Sequence, residues 1–282
     1  MFGRRKVASI VAEFLGTGAL TLTVLTIQRS QVGVAFFIAI VAGLVYFSMV
    51  YAFSGITGSY FNPAITIGLW TARKIQTLTA VLMVGAELLG GWLVFFLYRY
   101  MSNAGGTLTP IGGHFNGRIL TAEAVGAGVF ALVWAAAAFK KWDRGTTAVA
   151  VGFAVMVGMI IASSAGPVYL GIINPGIALG VRAWVWGTYV AGPVIGAVVG
   201  VNLYGLLFSE EGLLAGTVAN PSEVSESVVA TAPAAATKAS SSTRKAPAKR
   251  KTAAKSGSKS GTRTGSRSGS GRKTSTSRRS AR

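Results

Sequence analysis

Two Asn-Pro dipeptides, Asn62-Pro63-Ala64 and Asn174-Pro175-Gly176, occupy matching places in two apolar halves of this 282-residue chain. Asn is a strong helix N-cap and Pro a preferred first helical residue, so each dipeptide is predicted to start a helix. Gly-rich stretches lead to both starts: Gly55-Ile56-Thr57-Gly58, and Gly166-Pro167-Val168-Tyr169-Leu170-Gly171. The apolar runs that follow, 63–71 and 175–184, are about half a bilayer long. Two half-helices that begin at membrane depth, one per repeat, point to a pore or a carrier site. No nucleophile, base and orienting group converge anywhere, so an enzyme is not expected. Absence of Cys removes thiol chemistry and disulfides, and the single His, His114, cannot build a metal cluster. No cofactor is expected.

Six runs of about 20 apolar residues can carry this pair across a membrane: 7–27, 32–53, 79–101, 119–139, 146–168 and 187–208. The first follows a basic Arg4-Arg5-Lys6 and lacks a small-residue cleavage site, so it is taken as a membrane helix and not a removed signal. Backbone that breaks helix at membrane depth survives only inside protein or against a watery cavity, which puts both half-helices in the bundle interior. Ala12-Glu13-Phe14-Leu15-Gly16-Thr17-Gly18 parallels Ala122-Glu123-Ala124-Val125-Gly126-Ala127-Gly128, at nearly equal distances before the two Asn-Pro pairs. Three spans per repeat is odd, so the second copy is inverted and the half-helices can meet at the midplane. Glu13 and Glu123 are expected to be buried structural acids that accept loop N–H groups, with proton coupling as the alternative. Gly16/Gly18, Gly126/Gly128, Gly192/Gly196 and Gly196/Gly200 have the spacing of close helix contacts. The six Trp residues are candidates for interfacial anchors, with internal packing as the alternative for some of them.

Charge divides the chain further. Of the 27 Lys and Arg, fifteen lie between Lys238 and Arg282, so the net charge of +19 describes mainly that tail. Residues 1–229 are assigned to a membrane domain with repeats at about 7–101 and 119–209. Residues 230–282 hold no Asp or Glu and few large apolar side chains, and are expected to be a disordered basic tail. Such a tail favours nucleic acid or anionic lipid, through residues 238–282, with plain solvation as the third reading. Arg4, Arg5, Lys6, Arg73, Lys74, Lys140, Lys141 and Arg144 fall on one side with the tail, which places both termini in the cytoplasm.

In these residues, over about 7–209, the chain resembles the aquaporin (major intrinsic protein) family. The carriers are Ala12-Glu13-Phe14-Leu15-Gly16-Thr17, Asn62-Pro63-Ala64-Ile65-Thr66, the Gly166-Pro167 approach to Asn174-Pro175, and Gly192-Pro193-Val194-Ile195-Gly196-Ala197. The resemblance implies an all-α membrane protein with six transmembrane helices and two re-entrant half-helices in an inverted repeat. It also implies a pore in each subunit, usually a homotetramer, and here a multi-pass protein of the plasma membrane. Each Asn oxygen would cap its half-helix while the amide N–H faces the lumen. Carbonyls of 58–61 and 170–173 would form a ladder of acceptors, and the two half-helix dipoles would disfavour cations.

The departures concern the solute. Family members usually place Arg directly after the second motif, and here that position is Ile177. The family's spacings put Ala42, Ala162 and Gly171 at the other three constriction positions. All four are small or aliphatic, so the filter is expected to be wide and apolar, admitting solutes larger than water. Arg182 is read as turned about 140° from Ile177 on the same helix, with a structural role. Tyr60 stands where His is frequent, and Glu87 where Gln is common. The leading reading is a passive channel for water or small uncharged solutes such as glycerol. The alternatives are a coupled carrier, and a non-conducting membrane tether whose tail binds nucleic acid or anionic lipid.

Overall fold

The computed structural model describes residues 3–30, 33–103, 114–166 and 169–210; the tail and most of the 103–117 connector lie outside these. In chain order it shows α1 (Arg4–Gln28), α2 (Ala35–Phe53), α3 (Pro63–Thr71), α4 (Thr77–Met101), α5 (Gly117–Lys140), α6 (Arg144–Ala162), α7 (Pro175–Gly180) and α8 (Ala191–Phe208). A 3-10 turn, Ser163–Ala165, follows α6, and a π turn, Trp186–Val190, leads into α8. Six segments are long and apolar enough to cross a membrane: α1, α2, α4, α5, α6 with its 3-10 turn, and α8 with its π turn. Leu15, Leu44, Leu89, Phe153, Val199 and Leu203 face outward, while Glu13, Asn62, Thr66, Glu87, Glu123 and Asn174 are buried. That arrangement suits hydrocarbon, where an exposed polar group would find no partner.

Exchanging the two halves maps the packing onto itself. α1 packs on α2 and α4 as α5 packs on α6 and α8, while α3 packs on α8 as α7 packs on α4. α2 and α6 cross each other at Gly43 and Gly152, where a Cβ on either would stand 2.6 or 3.0 Å from the other's carbonyl oxygen. Gly90 faces the Phe14 carbonyl as Gly196 faces that of Ala124, both too closely for any side chain. Only small residues let membrane helices approach so far, since packing and not water expulsion drives their association. With three spans per half, this twofold relation makes the repeat inverted.

The ends of the helices sort into two faces. Arg5 and Lys6 of α1, Ile56 of the α2–α3 connection and Thr79 of α4 line one cavity of ≈ 180 Å³. The Lys74 ammonium lies 3.8 Å from the Phe139 ring centre near the end of α5, and the Arg144 guanidinium packs on Gly55. At the far end of α4, Arg182 and Arg99 share the Phe95 ring, at 5.1 and 6.0 Å. Asp143 caps α6 by accepting from the N–H groups of Gly145 and Thr146, at 2.9 and 3.1 Å. The Thr146 hydroxyl, which donates to it, holds its carboxyl below the usual carboxylate range.

Three expectations change. The second half-helix ends at Gly180 and not near residue 184. Val181 caps it, and Arg182 follows at φ 64° as the chain reverses and the Ala183 N–H returns to the Ala178 carbonyl. Arg182 therefore leaves the helix before any helical angle from Ile177 applies. It repeats the end of the first half-helix, where Arg73 stands at φ 59°. α6 gives way to a 3-10 turn after Ala162, short of the expected 168. The Trp residues divide as the two readings allowed: Trp134 is 4% exposed and packs inside the bundle, whereas Trp70, Trp92 and Trp186 remain on the surface.

Candidate functional site

Each half-helix begins on its Asn. The Asn62 side-chain oxygen accepts from the Ala64 N–H at 2.9 Å, and that of Asn174 from Gly176 and Ile177 at 2.9 and 3.3 Å. Pro63 and Pro175 fill the first helical positions, where a missing N–H costs nothing. Ala64 and Gly176 follow at positions with no room. A Cβ on Gly176 would stand 2.8 Å from the Thr17 methyl, and Gly91 lies against its carbonyl.

The amides were expected to face a lumen, yet each commits one N–H to the opposite repeat. Asn62 Nδ2 donates to the Ile173 carbonyl at 3.0 Å, and Asn174 Nδ2 donates to the Phe61 carbonyl at 2.9 Å. The two tips are thus tied crosswise, and each amide retains one further N–H. Phe61 and Ile173 both stand at φ 46°. For β-branched Ile173 this is a true outlier, maintained only because its surroundings over-determine it.

Those surroundings are the buried acids. Glu13 accepts from the Thr57 hydroxyl at 2.5 Å, the Tyr60 N–H at 3.2 Å and the Phe61 N–H at 2.7 Å. Glu123 accepts from the Ile172 and Ile173 N–H groups at 2.8 and 2.5 Å. Glu87 adds a second carboxyl to the first repeat, accepting from the Asn62 N–H at 3.3 Å and the Thr66 hydroxyl at 2.7 Å. In the second repeat, Ser163 Oγ accepts the Gly171 N–H at 2.9 Å. Irregular backbone in the bundle interior is satisfied by side chains that α1, α4, α5 and the turn after α6 deliver to it.

The four small positions are all enclosed. Ala42 is buried on α2, Ile177 on the first turn of α7, and Gly171 in the approach to Asn174. Gly171 packs directly on Ala162, whose Cβ lies 2.7 Å from where a Cβ on Gly171 would stand. The acceptor ladder is shorter than the sequence implied. The Tyr46 hydroxyl donates to the Tyr60 carbonyl, and the Phe61 and Ile173 carbonyls receive the two amides. Tyr46 and its partner Trp134 adjoin this ladder with no motif to mark them in the sequence. The available signal was the spacing of Tyr46 one helical turn after Ala42, on the same face of α2.

Comparison with known proteins gives a match to the family model described as Major intrinsic protein, over residues 4–204. Aquaporin Z of Photorhabdus laumondii subsp. laumondii is 27% identical, over 72% of this chain and 98% of the relative. Aquaporin NIP1-1 of Oryza sativa subsp. japonica is 32% identical, over 71% and 74%. Aquaporin AqpM of Methanothermobacter thermautotrophicus is 31% identical, over 64% and 77%. Among solved structures, the aquaglyceroporin from Plasmodium falciparum superposes with a TM-score of 0.57 at 21% identity, over 71% of this chain and 95% of that one. That last likeness concerns the fold.

Proposed function

This chain belongs to the major intrinsic protein family, and we propose that it is a passive channel whose solutes pass Asn62 and Asn174 under a wide, apolar filter. Family membership makes it a multi-pass membrane channel for water or small solutes, and not an enzyme. The observation that carries the finer reading is the crosswise tie of two capped half-helices at the centre of an inverted repeat. There the positive ends of both helix dipoles converge, and each Asn keeps an N–H for a passing solute. A neutral molecule with lone pairs exchanges hydration for those donors, while a cation meets two like partial charges. Glu13 and Glu123 act as clamps that hold the approach segments. Subunits are expected to assemble as a homotetramer in the plasma membrane. Grouping of Arg5, Lys6, Lys74 and Arg144 on one face supports cytoplasmic termini.

Selectivity is assigned to Ala42, Ala162, Gly171 and Ile177, none of which offers a side-chain donor or fixed charge. Stopped-flow swelling of proteoliposomes tests both statements. Wild type should add permeability to water and to at least one of glycerol and urea. Ile177→Arg should keep water permeability and cut that of the larger solute by about tenfold, a barrier change of roughly 1.4 kcal/mol. Equal loss of both permeabilities would count against a filter at this position.

A membrane tether is the second reading, favoured by the near-complete burial of Ala42, Ala162 and Ile177, each at most 1% exposed. The basic segment 238–282 would then bind nucleic acid or anionic lipid by counterion release. Deletion of 230–282 separates the readings: a channel keeps its solute flux, whereas a tether loses its salt-sensitive binding to DNA or to phosphatidylglycerol vesicles. Unchanged binding after the deletion would remove the tail from the account.

A further inference from the structure

The twofold relation between the repeats exposes an asymmetry of bulk. Tyr46 on α2 corresponds to Val155 on α6, and Phe53 corresponds to Ala162. Phe130 and Trp134 on α5 correspond to Leu20 and Val24 on α1. Tyr60 and Phe61 before the first Asn correspond to Ile172 and Ile173 before the second. The correspondence is fixed by matching contacts: Gly43 with Gly152 at the helix crossing, and Glu13 with Glu123 on the loop N–H groups. Every aromatic of these pairs thus clusters around the first approach segment, although Phe130 and Trp134 come from the second repeat. Its counterpart in the other half is aliphatic.

These rings form one connected assembly beside the approach to Asn62. Tyr46 meets Phe130 edge-on at 5.3 Å between ring centres and Phe61 at 6.0 Å, and Tyr60 meets Trp134 at 5.4 Å. Edge-to-face packing of this kind is the preferred aromatic arrangement. The Tyr46 hydroxyl donates to the Tyr60 carbonyl and accepts from Trp134 Nε1 at 3.2 Å. Its one proton and one acceptor site are both used, so the ring is pinned in place and does not swing. Tyr46 is 1% exposed, while Tyr60, at the end of the assembly, is partly open.

We propose that Tyr46, pinned by Tyr60 and Trp134, is the size-limiting constriction of the passage, displaced from the small residues Ala42, Ala162, Gly171 and Ile177. This rests on the channel reading and deepens it. Ala42 and Tyr46 share one face of α2, a single turn apart, so a solute that clears the first meets the second. Tyr46 also caps a carbonyl that the approach segment would otherwise offer to that solute. On this reading the passage narrows beside the approach to Asn62, with a rigid aromatic edge deciding what completes the crossing.

The test compares water and glycerol permeability of proteoliposomes holding equal amounts of wild type, Tyr46→Ala, Tyr46→Phe and Ile177→Ala. Tyr46→Ala should raise the glycerol-to-water permeability ratio by about tenfold, as for a barrier lowered by roughly 1.4 kcal/mol. Tyr46→Phe keeps the bulk of the ring but removes both hydrogen bonds that pin it, so the ratio should rise, though by less than in Tyr46→Ala. Ile177→Ala, which widens the other end, should raise it by no more than about twofold, well short of Tyr46→Ala. Trp134→Leu, which removes the brace and leaves Tyr46 in place, provides a second route should Tyr46→Ala fail to reconstitute, and should also raise the ratio. A wild type that conducts water, with a ratio unmoved by Tyr46→Ala or Trp134→Leu, overturns the constriction and spares the channel. A ratio raised by Ile177→Ala as much as by Tyr46→Ala returns the limit to the outer residues and overturns it too. Absence of added water permeability in wild type and every variant overturns the channel reading itself.

Discussion

Glu123→Ala is expected to be among the most damaging single substitutions in the membrane domain, lowering stability by about 4 kcal/mol. The carboxyl is fully buried on α5 and receives the N–H groups of Ile172 and Ile173. Both N–H groups belong to a segment with no helix or strand to satisfy it, and each orphaned donor costs about 1–3 kcal/mol. Ile173 is also held at φ 46°, so losing its bond releases strain in the direction of unfolding the segment. Asn174 follows directly, so the second half-helix would lose its placement against the first. Thermal denaturation of the purified protein, followed by size exclusion, should show the drop. Flux should fall with it.

The repeats predict different sensitivities to amide substitution. In the first, Glu87 shares the load with Glu13, and its second oxygen has no hydrogen-bond partner among the described residues. The Glu13 carboxyl is nearby. Glu87→Gln keeps the oxygen that Asn62 and Thr66 use, and offers an N–H toward Glu13. In the second repeat Pro193 stands where Glu87 stands in the first, and Glu123→Gln would turn one of its two working oxygens into an NH2 group facing a donor. The same chemical change should be costly at Glu123 and neutral or stabilising at Glu87. Equal sensitivity at both would show that the acids do not clamp the segments as described.

How much of this was legible in the sequence depended on how local its cause is. Asn-Pro at a helix start is a statement about three residues, so both N-caps could be read directly. The parallel between Glu13 and Glu123 needed only the repeat, and six apolar runs needed only bilayer thickness. The end of α7 was not readable in the same way. Ala178 and Leu179 favour continuing the helix, Gly180 at its end is a stop signal that close-packing glycines within membrane helices share, and Arg at positive φ carries no sequence signal. Arg182 stops there because the chain must turn back to α8, and its charge settles on Phe95. The direction of the Asn amides was half legible. Capping by the oxygen follows from residue type, but donation to Ile173 and Phe61 exists only because the two tips meet. Tyr46 shows the outer limit of such reading. Nothing within α2 tells that its hydroxyl will find Tyr60 and Trp134, which come from two other parts of the chain.

Because the ties are crosswise, Asn62→Ala and Asn174→Ala should each cost about 2–3 kcal/mol, the sum of a lost cap and a lost bond to a buried carbonyl. The loss should be larger for Asn174, whose oxygen caps two N–H groups where that of Asn62 caps one. The pair should also be non-additive. Asn62 holds Ile173, the residue next to Asn174, and Asn174 holds Phe61, the residue next to Asn62. Breaking one tie lets the tips part, which weakens the other before it is removed. The double variant should therefore lose less than the two single losses combined, with a coupling of about 0.5–3 kcal/mol. A double-mutant cycle on denaturation midpoints in detergent measures this. Strict additivity would mean that each half-helix is held by its own repeat alone, and that the meeting of the tips contributes nothing to keeping them in place.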